Sequence, residues 1–294
     1  VLDLKDLECL IALTRHRHFA KAADDCGMSQ PAFSMRIRHL EERLDTQIVR
    51  RGNRFQGLTS EGETVVAHAR GILDQVRALE EEVKVVQGEV IGSLMLAAIP
   101  TASAHAAMLA SALHDRHPGI RTRIETTTSL GIQQGIDDGR FDAGLTYAEG
   151  AWPEMLRVEE LYSERYVLFV PDRLNAGWDV GISWEEAASM PLILLEPGMQ
   201  NRRILDHIFE EAGAYPSVIA ETNGFMASIL MAMQGMGATV VPQVLVDSLA
   251  AFAGVTPVPL VDPEIEKAVS LVTPRRAQSI PVVEALREIA LPPA

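Results

Sequence analysis

From residue 29 to 41 the chain reads SQPAFSMRIRHLE, and Gln30, Ser34, Met35, Arg36 and Arg38 carry the chemistry that reads base edges. Gln presents an amide donor and acceptor to adenine, Arg presents two donors to guanine, Ser serves a base edge or a phosphate, and Met lies against a thymine methyl. A second group, Arg50, Arg51 and Arg54 in RRGNR, suits phosphates or a minor groove. A third group is spread out, each pair just past an apolar run: Thr101 and Ser103, Thr128 and Ser129, Thr146 and Tyr147, Arg202 and Arg203, Asn223 and Phe225. Its hydroxyls and free backbone N–H groups suit a small, oxygen-rich anion, with Arg202 or Arg203 as counter-charge.

The local sequence supplies elements to hold the first two groups. DLECLIALTRHR places Leu7, Leu10, Ile11 and Thr14 on one helical face, and FAKAADDCGMS follows with a face of mostly small residues, Phe19, Ala22, Ala23 and Cys26, ending at Gly27. Ser29 then caps a third helix with Pro31 in its first turn, and Phe33, Ile37, Leu40 and Leu44 face inward. Subtracting that inward face leaves the base-reading set outward, as a major-groove helix requires. Ile48 and Val49 lead into RRGNR while Leu58 and Thr59 lead out, the pattern of a two-stranded wing, and Thr59 or Ser60 caps the next helix with Glu63 placed for a capping box.

On these residues, the Phe19, Ala22, Ala23 face, SQPAFS, the series Ile37, Arg38, Leu40, Glu41, then Arg51 and LTSEG, the segment 2–63 resembles the winged helix-turn-helix of LysR-type transcriptional regulators. Asp45, Ile48, Val49 and Met35 depart from the usual family residues at their places. The resemblance implies promoter DNA as partner, a small-molecule co-inducer, self-association as a dimer or tetramer, and RNA polymerase as a further partner. It implies no cofactor. The N-terminal stretch is also similar to regulators encoded beside formate dehydrogenase operons, which implies a one-carbon or small carboxylate effector.

From Glu61 to Gln87 apolar residues fall at Val65, Ala69, Ile72, Val76, Leu79, Val83 and Val86, a heptad seam that predicts a coiled coil between two copies. Beyond it strands and helices alternate, which predicts a parallel sheet. The expected division is a winged helix-turn-helix over 1–60, a linking and dimerising helix over 61–90, effector subdomain I from 91–161 and 266–294, and subdomain II from 162–265. The resemblance implies two Rossmann-like subdomains arranged as in periplasmic binding proteins, with FDAGLTY, LYSERYVLFVP and MAMQGMGATVVPQ as the matching segments.

Charge separates the regions in the same way. The 294 residues carry a net −14, yet residues 1–60 hold ten Lys and Arg against eight Asp and Glu, whereas residues 91–294 hold thirteen against twenty-five. A DNA-binding surface therefore belongs to the first sixty residues. Cys9 and Cys26 stand in no metal-ligand spacing, both on apolar helix positions, which fits a reducing cytoplasm. No apolar run of membrane length and no signal-peptide pattern is present in the sequence, so a cytoplasmic protein without membrane contact is expected. Catalytic motifs are lacking: no GxSxG, HExxH or Walker A occurs, GMGATV runs from helix to strand, and HDRH at 114–117 ends a helix instead of forming a metal site. No enzyme activity and no metal are expected. The rival reading is a small-molecule-binding protein without regulatory DNA function, which has no use for a recognition helix.

Overall fold

The computed structural model describes residues 2–50, 55–85, 90–147, 155–178, 180–247, 253–275 and 280–291. The head is three helices, α1 (Leu4–His16), α2 (Phe19–Asp25) and α3 (Gln30–Leu44). Their inward residues make one core, in which Leu10, Leu13, Ala22, Phe33 and Leu40 are fully buried. Gly27 adopts φ +66 after α2, a left-handed turn that glycine takes without a Cβ penalty. Ser29 caps α3 by accepting from Ala32 N at 3.4 Å, and Pro31 sits in the first turn.

After α3 the chain forms a ribbon in which Val49 bridges Leu58 antiparallel, with Arg50 N donating to Gly57 O and Thr59 N to Ile48 O, both at 3.0 Å. Arg51 and Arg54 lie outside the described residues. Thr59 accepts from Gly62 N at 2.9 Å and starts α4 (Ser60–Val85). Gly62 is tightly enclosed, since a Cβ there would lie 2.1 Å from the Ile48 carbonyl oxygen. Gly62→Ala is therefore expected to push α4 off the ribbon and cost the head about 1–3 kcal/mol. Urea unfolding followed by circular dichroism measures it, and an unchanged midpoint would remove this close approach from the account.

The seam of α4 divides. Val66 and Ala69, with Val65 and Leu73 partly buried, pack into the head core, and Ala78 joins the core of the body. Arg77 donates to the Asp142 carboxylate and the Ser93 carbonyl, and Arg70 to Asp138 at 3.3 Å. What stays exposed is Ile72, Leu79 and Val83, at 39%, 62% and 58%. Of the expected heptad positions, Val65 and Ala69 thus pack toward the head while Ile72, Leu79 and Val83 stay uncovered, and Val86 lies outside the described residues.

The body follows as β1 (Gly92–Ala98), a 3-10 turn Pro100–Ala102, α5 (Ser103–Arg116), β2 (Ile120–Thr126), α6 (Ser129–Asp137), β3 (Ala143–Tyr147) and the long β4 (Leu156–Pro171). It continues through β5 (Ile182–Ser183), α7 (Trp184–Ala188), β6 (Pro191–Leu195), α8 (Gln200–Glu211), β7 (Ser217–Thr222), α9 (Phe225–Met233), β8 (Ala238–Pro242), α10 (Gln243–Asp247), β9 (Val255–Val261), β10 (Glu266–Pro274) and α11 (Pro281–Ala290). The strands run in the order β2-β1-β3-β10-β4-β8-β6-β7, with β9 also on β4. The expected parallel sheet is corrected to a mixed one. β1, β2 and β3 are parallel, as are β6, β7 and β8, but β4 is antiparallel to both β10 and β8.

β4 is what joins the two lobes. Residues Leu156–Arg165 pair with β10 beside the first lobe, and Tyr166–Pro171 pair with β8 and β9 in the second. A single strand shared this way lets the lobes face each other across the carboxyl ends of β1, β3 and β6, where open α/β sheets hold ligands. On the outer side Arg287 forks onto Glu159 at 2.8 Å through both nitrogens and also holds Glu284, fixing α11 to the first half of β4.

Candidate nucleic-acid interface and ligand cleft

On α3 the structure leaves Ser29, Gln30, Pro31, Met35 and Arg38 exposed, with Ser34 half-buried. These side chains form the outward face of the helix, and Met35, at 55% exposure, is a large apolar group held toward solvent. Arg50 is exposed at the root of the ribbon. Glu41 fixes ribbon to helix, since its Oε1 accepts from Ile48 N at 2.8 Å and Val49 N at 3.0 Å.

Arg36 is a correction to the expected outward set. Its guanidinium donates to Asp6 Oδ1 at 2.6 Å and to Asp3 Oδ2 at 3.2 Å, while Arg43 takes the other Asp6 oxygen at 2.8 Å. Asp6 is buried, so α1 needs these cations to hold a carboxylate inside the head. Arg36 therefore braces α3 against α1. Asp6 on the inward side of the first helix was the sequence signal for it: a carboxylate on an apolar face calls for a partner.

The third group resolves into residues that meet and residues that do not. A narrow cleft between the lobes, with about 10 Å³ of free space, is lined by Thr101, Thr128, Ser129, Tyr147, Gln200 and Asn201 among its polar residues. Ser103 begins α5 half-buried outside that lining, and Thr146 is buried with its hydroxyl directed to the Tyr147 carbonyl. Arg202 is not a counter-charge for a ligand. It is buried and donates to Leu195 O, Glu221 and Asp206 at 2.7–2.8 Å. Arg203 is exposed and lines a separate outer groove with Gln200, His207 and Lys267. Phe225 is also corrected: it packs with Val167, Phe169, Leu195 and Ile229 in the core of the second lobe. Asn223 is exposed in the turn before α9.

Two groups complete the cleft, Asn201 within the stretch that follows β6, and Glu164, which the sequence reading did not single out. Asn201 is only 5% exposed, and both atoms of its amide lack a hydrogen-bond partner, as does the buried hydroxyl of Ser129. A buried amide left unpaired costs stability, so these atoms await a partner that the folded chain does not supply. Behind them Glu164, 1% exposed, accepts from Tyr147 Oη at 2.7 Å and Tyr162 Oη at 3.4 Å, and Tyr147 also meets Thr101 Oγ1 at 3.1 Å. Burial pushes the Glu164 carboxyl up to about 7 against the hydroxyls that hold its charge. Among the described residues no group of His, Cys, Asp and Glu could hold a metal ion, and no helix is long and apolar enough to cross a membrane.

A winged head whose third helix turns polar side chains outward, joined to a two-lobed body with an unsatisfied polar cleft, defines a ligand-responsive DNA-binding regulator. Residues 4–63 match the family model described as "Bacterial regulatory helix-turn-helix protein, lysR family", and residues 87–292 match "LysR substrate binding domain". The chain belongs to the LysR family of transcriptional regulators, and it is a regulator and not an enzyme. Similar proteins include one named "Probable hydrogen peroxide-inducible genes activator" from Streptomyces viridosporus, 31% identical over 83% of this chain and 78% of that protein. The RuBisCO operon transcriptional regulator of Allochromatium vinosum is 29% identical over 72% of this chain and 70% of its own. Among solved structures, a full-length OxyR variant from Pseudomonas aeruginosa superposes with a TM-score of 0.77 at 23% identity, covering 99% of this chain and 95% of that one.

Proposed function

We propose that this regulator reads its promoter sites through Gln30, Ser34, Met35 and Arg38, holds the phosphates with Arg50, and is controlled by a small molecule bound between the lobes of its body. The head 1–60 and helix 61–90 would act as a dimer, presenting two α3 helices to two half-sites. The observation that carries the control site is the unpartnered Asn201 amide beside the unpartnered Ser129 hydroxyl, both facing one cleft. An anion is the favoured ligand. α6 and α8 begin at this cleft, and α8 starts without a side-chain cap, which leaves its first N–H groups for a negative partner.

A neutral ligand is the second reading. The cleft lining contains no Lys or Arg, and relatives are named for induction by hydrogen peroxide. A peroxide response through an effector-half thiol has no residue to use here, because the only cysteines of this sequence are Cys9 and Cys26 in the head. A thermal-shift series with small carboxylates, inorganic oxyanions and hydrogen peroxide separates the readings. Asn201→Leu is expected to abolish the shift of the true ligand, and an undiminished shift in that variant would move the site elsewhere.

On DNA the residues divide by what they touch. Gln30→Ala is expected to cost roughly 1–3 kcal/mol on the specific operator and little on random duplex, whereas Arg50→Ala weakens both alike and lowers the salt slope. Arg36→Ala lowers head stability and leaves base preference unchanged, as its contacts with Asp3 and Asp6 dictate. Fluorescence anisotropy on both duplexes at two salt concentrations reads all three. Equal loss on both duplexes for Gln30→Ala would take it out of base reading.

A further inference from the structure

Glu164 is a buried carboxylate set among hydroxyls. Its neighbours come from every element around it: Tyr147 on β3, Tyr162 and Tyr166 on β4, Thr101 in the 3-10 turn after β1, and His105 on α5, whose ring lies 4.7 Å from that of Tyr162. On β10 its cross-strand partner is Lys267, which lines the outer groove and not the cleft. Among the described residues no ion pair neutralises Glu164, and burial lowers the His105 ring below its ordinary range, which disfavours a positive charge there. The carboxylate is therefore held only by hydroxyls.

Those hydroxyls form a directed chain. With Glu164 ionised, Tyr147 must donate to it, and Thr101 donates to the Tyr147 oxygen or to Glu164 itself, so both protons point toward the carboxylate. Thr101 then offers the cleft only lone pairs. An anion placed beside Asn201 and Ser129 would meet those lone pairs and the nearby negative charge in a site shielded from water, where repulsion is poorly screened. With a proton on Glu164 the chain reverses. The carboxylic acid donates to Tyr147, Tyr147 donates to Thr101, and the Thr101 hydroxyl is released to donate into the cleft.

We propose, building on the cleft as the ligand site, that a small monocarboxylate enters it together with one proton, which Glu164 takes from solvent while the Thr101–Tyr147–Glu164 chain reverses. The balance is simple: one anion and one proton enter, no covalent bond of the ligand forms or breaks, and the net charge of the complex equals that of the free protein. The ligand is small, since the cleft as it stands leaves only about 10 Å³, room for little more than one water. Two unpartnered donors, at Ser129 and Asn201, and the released Thr101 hydroxyl give a carboxylate three side-chain contacts.

The test is calorimetric titration of the full chain with formate, acetate and pyruvate, and with formamide and acetamide as neutral counterparts, at pH 6, 7 and 8. Each titration is run in two buffers of different ionisation enthalpy, so that protons taken up are counted directly. The carboxylates are expected to lose about tenfold in affinity per pH unit above about 7 and to carry close to one proton at pH 8 and close to none at pH 6. Glu164→Gln removes both the slope and the proton count. Carboxylate binding that is flat with pH and carries no proton overturns the coupling and leaves the cleft standing as the ligand site. Tighter binding of the amides than of the acids at every pH overturns the carboxylate. Binding of none of the five at pH 6 removes the coupling and the cleft reading together. If Glu164→Gln does not fold, the proton count on the unaltered chain decides alone.

Discussion

Leu79→Asp is expected to turn the 1–90 fragment from dimer to monomer at low micromolar concentration. α4 spends one side on the head and another on the body, through Val66, Ala69 and Ala78, and these contacts leave Ile72, Leu79 and Val83 uncovered at heptad spacing. Three large aliphatic side chains on one helix stripe call for a matching stripe, and a second copy of the same helix presents one. In a twofold arrangement the substitution is felt from both helices, so two carboxylates lose water together where two leucines met. The dimer constant then weakens by about a hundredfold or more. Sedimentation equilibrium measures it. Ala67→Asp, on an exposed position of the same helix well away from the stripe, is the control that must stay dimeric. A Leu79→Asp fragment that remains dimeric would place the pairing surface off this stripe, and the spacing of two recognition helices on DNA would need another origin.

The helices of the head were legible because their periodicity is local. Phe33, Ile37 and Leu40 repeat at helical spacing, and Ser29, Pro31 and Gly27 punctuate the ends by backbone chemistry alone. The mixed sheet was less so. β9 carries Pro257 and Pro259, which break the ordinary strand signal, yet both are accommodated where β9 pairs with β4. The direction of β4 against its neighbours is a property of chain return over a hundred residues, and local alternation is silent about it.

The cleft shows the same division. Thr101, Ser129 and Tyr147 were reachable because each follows a strand end, and a strand end fixes where the backbone is. It does not fix where the side chain points. Phe225 follows β7 in the same way but starts the inward face of α9 with Ser228, Ile229 and Ala232, so it serves the core. For Arg202 one partner was readable, Asp206 at i+4 on the same helix, and the other, Glu221 on β7, was not. Glu164 does carry a signal in the sequence. It stands in phase with Tyr166, Leu168 and Val170 on the inward side of β4, and a carboxylate in that phase is a buried charge in search of hydrogen bonds.

That buried charge has a consequence for stability even without ligand. Burial raises the Glu164 carboxyl from an unfolded value near 4.5 to about 7, so between these values the folded chain holds a proton that the unfolded chain has released. Stability supplied by this group is fully present below about 4.5 and is lost as pH rises through about 7, the reverse of a carboxylate held by a cation. Glu159, kept below its ordinary range by Arg287, runs in that opposite direction, so the pH profile of the unaltered chain mixes the two. The difference between Glu164→Gln and the unaltered chain isolates the one group. The variant is expected to be more stable by about 1 kcal/mol at pH 5 and by about 3 kcal/mol at pH 8. Tryptophan fluorescence during urea unfolding is the measurement, because all three tryptophans belong to the body and none to the head. A constant difference between pH 5 and pH 8 would mean that Glu164 ionises in the folded chain as it does in the unfolded one, and that its hydroxyl partners fully offset the loss of water.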